Sequence, residues 1–274
     1  MRWAVRLAFG RGGGSTQEGA RARRVGQGVA PHRGRPPRRC AVIELVRVFL
    51  NGEHGPILND FCLHTAPGEA VALLGAAGSG RSAALAVASG AVQAHRGRVR
   101  LGSVEHTRRP AALRRATGLS TPDLMGPYDM SAAGWLSYWS SAQEGSSADL
   151  AAREVRALRS FGLEGVSERL VSQLSHAQRR SLDLARLWVE DPSVYLLDQP
   201  CAFLDGHSFW RLVLVLQRLK ESRRTLIIAT NEYNLASQVC DRAVFVEKGV
   251  NVEEMGKDSP QYKEFVRRAL GWKS

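Results

Sequence analysis

The chain has 274 residues, 44% hydrophobic and 23% charged, enough apolar material for one large core or two small ones, which excludes a disordered or fibrous chain. Its formal charge of +12 is uneven: residues 1–40 hold ten arginines against one acid, Glu18, whereas the other 234 residues carry 28 basic and 25 acidic side chains and are no polyanion binder by charge. No apolar run approaches the ~20 residues that cross a bilayer, the densest being Leu212 to Leu216, and Cys40, Cys62, Cys201 and Cys240 form no CxxC pair, which argues against a disulfide framework or structural zinc.

Residues 1–40 contain no lysine, the run Gly12-Gly13-Gly14 and a proline- and arginine-rich stretch from Pro31 to Arg39, a composition that cannot bury a core. The first nine residues, MRWAVRLAF, set Arg2 and Arg6 one helical turn apart with Trp3 and Leu7 together on another side, as in a short basic amphipathic helix. An arginine-rich, acid-poor start of this kind is similar to an organelle transit peptide, so mitochondrial import is expected. A solvated tail, a mispredicted start and a basic arm on nucleic acid are the other readings. The last is the weakest, since no aromatic residue is interleaved after Phe9.

From Val42 apolar runs alternate with helical patterns. Strands are predicted at about 42–48, 71–74, 194–198, 225–230 and 243–247, and helices at about 82–92, 178–190 and 206–220. This alternation predicts an α/β domain over residues 41–250 with a largely parallel central sheet. Residues 110–170 carry no strong strand signal and have turn signals at Gly126-Pro127 and Gly145-Ser146, so they are predicted as a helical insertion. Residues 251–274 are predicted as a short helical tail, and no internal repeat is visible.

Gly75-Ala76-Ala77-Gly78-Ser79-Gly80-Arg81-Ser82 follows the apolar run Val71 to Leu74 and precedes a helical run from Ala83. A strand, a glycine loop and a helix in this order form a phosphate loop: Gly75, Gly78 and Gly80 let backbone amides turn toward phosphate oxygens at the positive end of the helix, and Ser82 offers a hydroxyl to Mg²⁺. The motif calls for lysine where Arg81 stands, and a planar guanidinium keeps the charge but is wider. Taken alone, the motif also reads as a glycine-rich turn between a strand and a helix.

Downstream, Leu174-Ser175-His176-Ala177-Gln178 opens a helix, and the run Val194 to Leu197 ends in Asp198-Gln199-Pro200. Cys201 to Asp205 and Leu226 to Asn231 follow. With these segments in this order, residues 42–250 resemble the ATP-binding subunits of ABC transporters, and the resemblance implies their fold, a P-loop NTPase nucleotide-binding domain with a helical insertion. It implies ATP contacts from Gly75, Gly78, Gly80, Arg81, Ser82, Ala83, Ser175, Gln178 and Asp205, with Mg²⁺ held by Ser82 and Asp198. Gln199 and Asn231 fall at the catalytic positions. It also implies a second ATP-binding protomer, because the signature segment of one protomer completes the phosphate site of another, and a membrane-spanning subunit docked on residues 110–170. Within the family, the run Arg179 to Trp188 is most similar to the subunit serving haem export and cytochrome c maturation, the CcmA type, including its mitochondrial form. That places the chain on the matrix side of the inner mitochondrial membrane, or otherwise on the cytoplasmic face of a membrane.

Several family positions carry other residues. A glutamate normally follows the metal aspartate and activates water, whereas Gln199 has nearly its shape and cannot accept a proton. The switch histidine is replaced by Asn231, and two signature glycines by His176 and Ala177. The glutamine of the loop into the insertion is missing from Ser120 to Pro122, and only Phe49 is available to stack on adenine, a position it could equally fill as core. Binding of ATP and Mg²⁺ with weak or absent hydrolysis is expected. An active transport ATPase and a non-transport scaffold on the ribosome or a nucleic acid are the alternatives. His54, His64 and His95 stand alone and suggest no haem ligand.

Overall fold

The computed structural model describes residues 43–107, 110–143 and 145–271, and the arginine-rich leader lies outside them. The strands, in chain order, are β1 (Ile43–Gly52), β2 (Gly55–His64), β3 (Ala70–Leu74), β4 (Arg96–Leu101), β5 (Val104–Glu105), β6 (Thr117–Ser120), β7 (Val194–Asp198), β8 (Thr225–Ala229), β9 (Arg242–Glu247) and β10 (Val250–Gly256). The helices are α1 (Arg81–Ala88), α2 (Pro110–Ala116), α3 (Ala132–Ser140), α4 (Ser147–Ser160), α5 (His176–Glu190), α6 (Gly206–Glu221), α7 (Tyr233–Val239) and α8 (Tyr262–Ala269). Among the described residues no helix is long and apolar enough to cross a membrane, and Cys62, Cys201 and Cys240 are free.

The central sheet runs in the order β10-β9-β3-β8-β7-β6, parallel except for the hairpin of β9 and β10. Its inner strands are continuous apolar runs because both faces are covered. Along β3, Ala70, Ala72 and Leu74 face one core with α5, α6 and the insertion, while Val71 and Leu73 face a second core with α1 and the antiparallel sheet. β8 divides in the same way, with Leu226 and Ile228 on the first side and Ile227 and Ala229 on the second. The five parallel strands, β9, β3, β8, β7 and β6, present their C-terminal ends on one edge, where the phosphate loop leaves β3.

Four expectations need correction. The first strand is not part of the parallel sheet: β1 lies in a separate antiparallel sheet, order β2-β1-β4-β5. β2 was not anticipated because Gly55, Pro56, Asn59 and Asp60 suggest turns and its buried residues, Leu58, Phe61 and Leu63, skip a step at Asp60. There φ is 56°, and the register with β1 shifts at Arg47, φ 50°; the two irregular residues are ion-paired at 2.9 Å. Within 110–170 a strand does occur: β6 pairs with β7 at the sheet edge, so the helical insertion proper begins after it. The C-terminal segment is not wholly helical, because the acidic β10 closes a hairpin on β9 before α8 packs Tyr262, Phe265 and Val266 into the first core.

Candidate functional site

β3 ends at Leu74, and the loop that follows is held too close to β9 for any side chain at its first position. A Cβ on Gly75, φ 148°, would lie 2.3 Å from the Val246 carbonyl oxygen. Gly80, φ 106°, caps α1 without a side-chain bond, and the Ala84 amide makes the first helical hydrogen bond, to Gly80 O at 2.9 Å. The amides of Arg81, Ser82 and Ala83 therefore have no helical acceptor, and no acidic residue occupies the first turn. They form an anion cradle beneath the exposed rim Ala76 to Gly78.

Two buried polar atoms here have no protein partner: Ser79 Oγ and Asp198 Oδ1. Asp198 ends β7 at 7% exposure. Burial raises its pKa, and the Ser82 hydroxyl and the guanidinium groups of Arg81 and Arg180 pull it back only in part. A buried carboxylate oxygen lacking a donor, beside a hydroxyl at the mouth of an amide-lined loop, fits an oxygen-coordinated divalent cation such as Mg²⁺.

Arg81 does not point into the cradle. At 5% exposure, its Nη1 donates to Thr230 O at 2.9 Å and to Asn231 Oδ1 at 2.7 Å, and its Nη2 donates to Ala76 O at 3.4 Å. The loop cation and the switch-position residue are thus joined to each other. Burial lowers the arginine's pKa, and Asp198 opposes the shift. Gln199 adopts φ 44° as the chain leaves the sheet, its amide donating to Ala229 O at 2.8 Å, and its side chain is exposed.

The structure therefore brings together Gly75, Gly78, Gly80, Arg81, Ser82, Ala83, Asp198, Gln199 and Asn231 at the strand ends. Ser175, Gln178 and Asp205 hold helix caps instead. Ser175 Oγ accepts from the Gln178 amide at 3.2 Å, and the Ser175 amide donates to Gln178 Oε1 at 2.9 Å, a reciprocal box that starts α5. Asp205 Oδ1 accepts from the Ser208 amide at 2.7 Å and caps α6; this hydrogen bond also holds its pKa low. The ring of His176 lies 5.3 Å from that of Phe203, linking the two segments. Phe49 belongs to neither core; it lines an open groove of ≈ 470 Å³ on the antiparallel sheet with Arg47, Arg96 and Arg98.

Sequence reasoning missed Arg180. Its side chain is 1% exposed, and it ties three elements together. Nη2 donates to Asp198 O at 2.6 Å, Nε to Pro200 O at 3.3 Å, and Nη1 to Ser120 Oγ at 2.8 Å and to Thr121 O. Ser120 Oγ in turn donates to Asp183 Oδ2 at 2.5 Å, and Asp183 also pairs with Arg186 at 2.9 Å. Ser120 thus stands, fully buried, in the stretch that lacks the family's glutamine. The available signal was a charge pair at i and i+3, Arg180 and Asp183, on the apolar stripe of an amphipathic helix.

A sequence profile described as "ABC transporter" matches residues 58–202. The chain is 34% identical over 194 residues to the thiamine import ATP-binding protein ThiQ of Jannaschia sp. (strain CCS1), covering 68% of this chain and 82% of that one. It is 30% identical over 224 residues to the sulfate/thiosulfate import ATP-binding protein CysA of Yersinia pestis, covering 78% of this chain but 61% of the relative. Its fold is similar to the dimeric ATP-binding cassette MJ0796 bound to ADP and Pi, with a TM-score of 0.72 at 21% identity over 79% of this chain and 99% of that one. With the loop, the metal-type aspartate and the helical insertion in place, the chain belongs to the ABC transporter family, of which it carries the ATP-binding domain.

Proposed function

We propose that this chain is the ATP-binding subunit of a transport complex, that it grips ATP with Mg²⁺, and that it hydrolyses the nucleotide very slowly or not at all. The observation that carries the reading is the unpartnered Asp198 Oδ1, buried beside Ser82 where the amides of α1 open. Those amides would hold the phosphates, Ser82 and Asp198 the metal, and Mg²⁺ would offset phosphate charge there. Hydrolysis needs a proton acceptor for water, and Gln199 is none. Asn231 has its carbonyl oxygen committed to Arg81, which leaves only an amide group to face a terminal phosphate.

A single cassette calls for partners. A second ATP-binding protomer would meet the exposed cap of α5 and Phe203, which is 63% exposed. A membrane-spanning subunit would dock on the insertion, where Met125, Tyr138 and Val155 are at least half exposed. Thiamine and sulfate belong to the relatives' names. The cytochrome c maturation reading rests on the run 179–188, in which Arg180, Asp183 and Arg186 pack the cassette interior, so the run speaks for the cassette more than for a haem cargo. Mitochondrial placement rests on the leader alone, and an import assay with and without residues 1–40 tests it.

Calorimetric titration of the full chain with ATP and Mg²⁺, run beside a phosphate-release assay and an Asp198→Ala control, tests the function. Binding with release no faster than that of the control supports it. Metal-dependent release well above the control would establish an active ATPase instead, and no heat and no thermal shift would overturn nucleotide binding itself.

A further inference from the structure

Arg81 and Asn231 each depart from the pattern of a working nucleotide site, and taken singly each looks like a loss. The geometry points to one shared device: we propose that the Arg81–Asn231 pair withdraws the loop's cation from the terminal phosphate, so that the site holds nucleoside diphosphate and triphosphate almost equally well. The proposal deepens the nucleotide-binding reading and rests on it.

Both hydrogens of Arg81 Nη1 are in use, one on Thr230 O at 2.9 Å and one on Asn231 Oδ1 at 2.7 Å. A third donor reaches Ala76 O at 3.4 Å. The guanidinium is planar, so these acceptors fix its plane as well as its position. Swinging it toward the cradle breaks all three bonds together and strands the carbonyl of Thr230, a residue 1% exposed. An ammonium on a lysine stem has three freely rotating donors and no such plane to hold. Asn231 supplies what the wider arginine head requires, a neutral acceptor at the end of β8, which a charged imidazole would not. The amides of Arg81, Ser82 and Ala83 remain open to the phosphates nearest the loop, and they would serve a diphosphate and a triphosphate alike. What is given up is the charge-assisted contact to the third phosphate, a discrimination of about tenfold or more.

Affinities of the full chain for ATP and for ADP, each with Mg²⁺, test the pair. The expected ratio for the unaltered chain is within about threefold. Arg81→Met should change both affinities by the same factor, because the guanidinium touches neither ligand. Asn231→Ala, at an exposed position, frees one Nη1 hydrogen and should shift the ratio toward ATP; Arg81→Lys should shift it by about tenfold. A thermal melt confirms that each variant folds, and if Arg81→Met does not, the other two carry the test. A preference for ATP above about tenfold in the unaltered chain, lost in Arg81→Met, overturns the pair while leaving nucleotide binding intact. Failure of either nucleotide to bind overturns both.

Discussion

Replacing Arg180 by methionine should cost about 3–5 kcal/mol of stability, the range for removing one partner of a buried charge pair. Methionine fills much of the volume, but three backbone carbonyls, of Asp198, Pro200 and Thr121, lose their donor, and Asp183 keeps only Arg186 as a cation. Each orphaned buried acceptor costs about 1–3 kcal/mol, yet these share one cavity and relax together, so the charge-pair figure is the better guide than a sum. For a chain of this length, a loss near 4 kcal/mol lowers Tm by about 8–16 °C. Urea titration with an unchanged m value would give the free energy directly. Arg180→Lys keeps a charge near Asp183 but reaches fewer of the carbonyls, and should recover part of the loss. A loss below about 1 kcal/mol for the methionine variant would refute the claim that this guanidinium binds the ends of β6 and β7 to α5.

Gln199→Glu puts a carboxylate where a general base is lacking, and Mg²⁺-dependent phosphate release should rise about 10²-fold or more; an unchanged rate would place the block elsewhere in the site. Asp198 must be ionised to hold a metal, and its pKa is raised above the ordinary 3.8, so metal-dependent nucleotide binding should fall on acidification while exposed carboxylates remain charged. The same shift acts on stability. A carboxyl with a raised folded pKa stabilises the fold fully only below its unfolded value, and that contribution is lost as pH rises through the folded value. Asp198→Asn should therefore raise Tm of the nucleotide-free chain at neutral pH, with the gain shrinking toward pH 3.8, in thermal melts across that range.

The buried parallel strands were legible because burial on both faces leaves no polar positions to blur them: the runs at Val71, Val194 and Leu226 needed no periodicity to be seen. β2 was hidden by the physics of a bulge. An extra residue at Asp60 moves the next apolar side chain one step, so Leu58 and Phe61 fall out of alternation although both are fully buried. β10 was hidden by exposure, since in this edge strand Glu253 and Glu254 interrupt the alternation begun at Val250 and Val252, and Val252 is itself 56% exposed. The phosphate loop, Asp198 and Asn231 could be placed in one site from their order along the chain. Ser175, Gln178 and Asp205 could be placed at helix starts, but whether an N-cap oxygen also meets a ligand is a matter of what stands in front of it, which spacing does not encode.

What the sequence conceals most completely is compensation. Read along the chain, Arg81, Ser120 and Asn231 are separate departures from a working site, each with its own cost. In space each has an answering group: Arg81 finds Asn231 Oδ1, and Ser120 finds both Arg180 and Asp183. Among the described residues five buried side-chain polar atoms lack partners; two of them, Ser79 Oγ and Asp198 Oδ1, lie at the phosphate loop and the adjoining strand end, and the others are His106 Nδ1, Trp135 Nε1 and Trp139 Nε1. Buried polar groups are satisfied as a rule, and an exception costs stability unless a ligand relieves it. A site that had merely decayed would leave such exceptions at the altered positions, where a new side chain fails to match its surroundings. Here Arg81, Ser120 and Asn231 are matched, and two of the exceptions, at Ser79 and Asp198, fall where a nucleotide and its metal would supply what is missing. That placement of Ser79 and Asp198 supports the proposed binding of a nucleotide and its metal at this site.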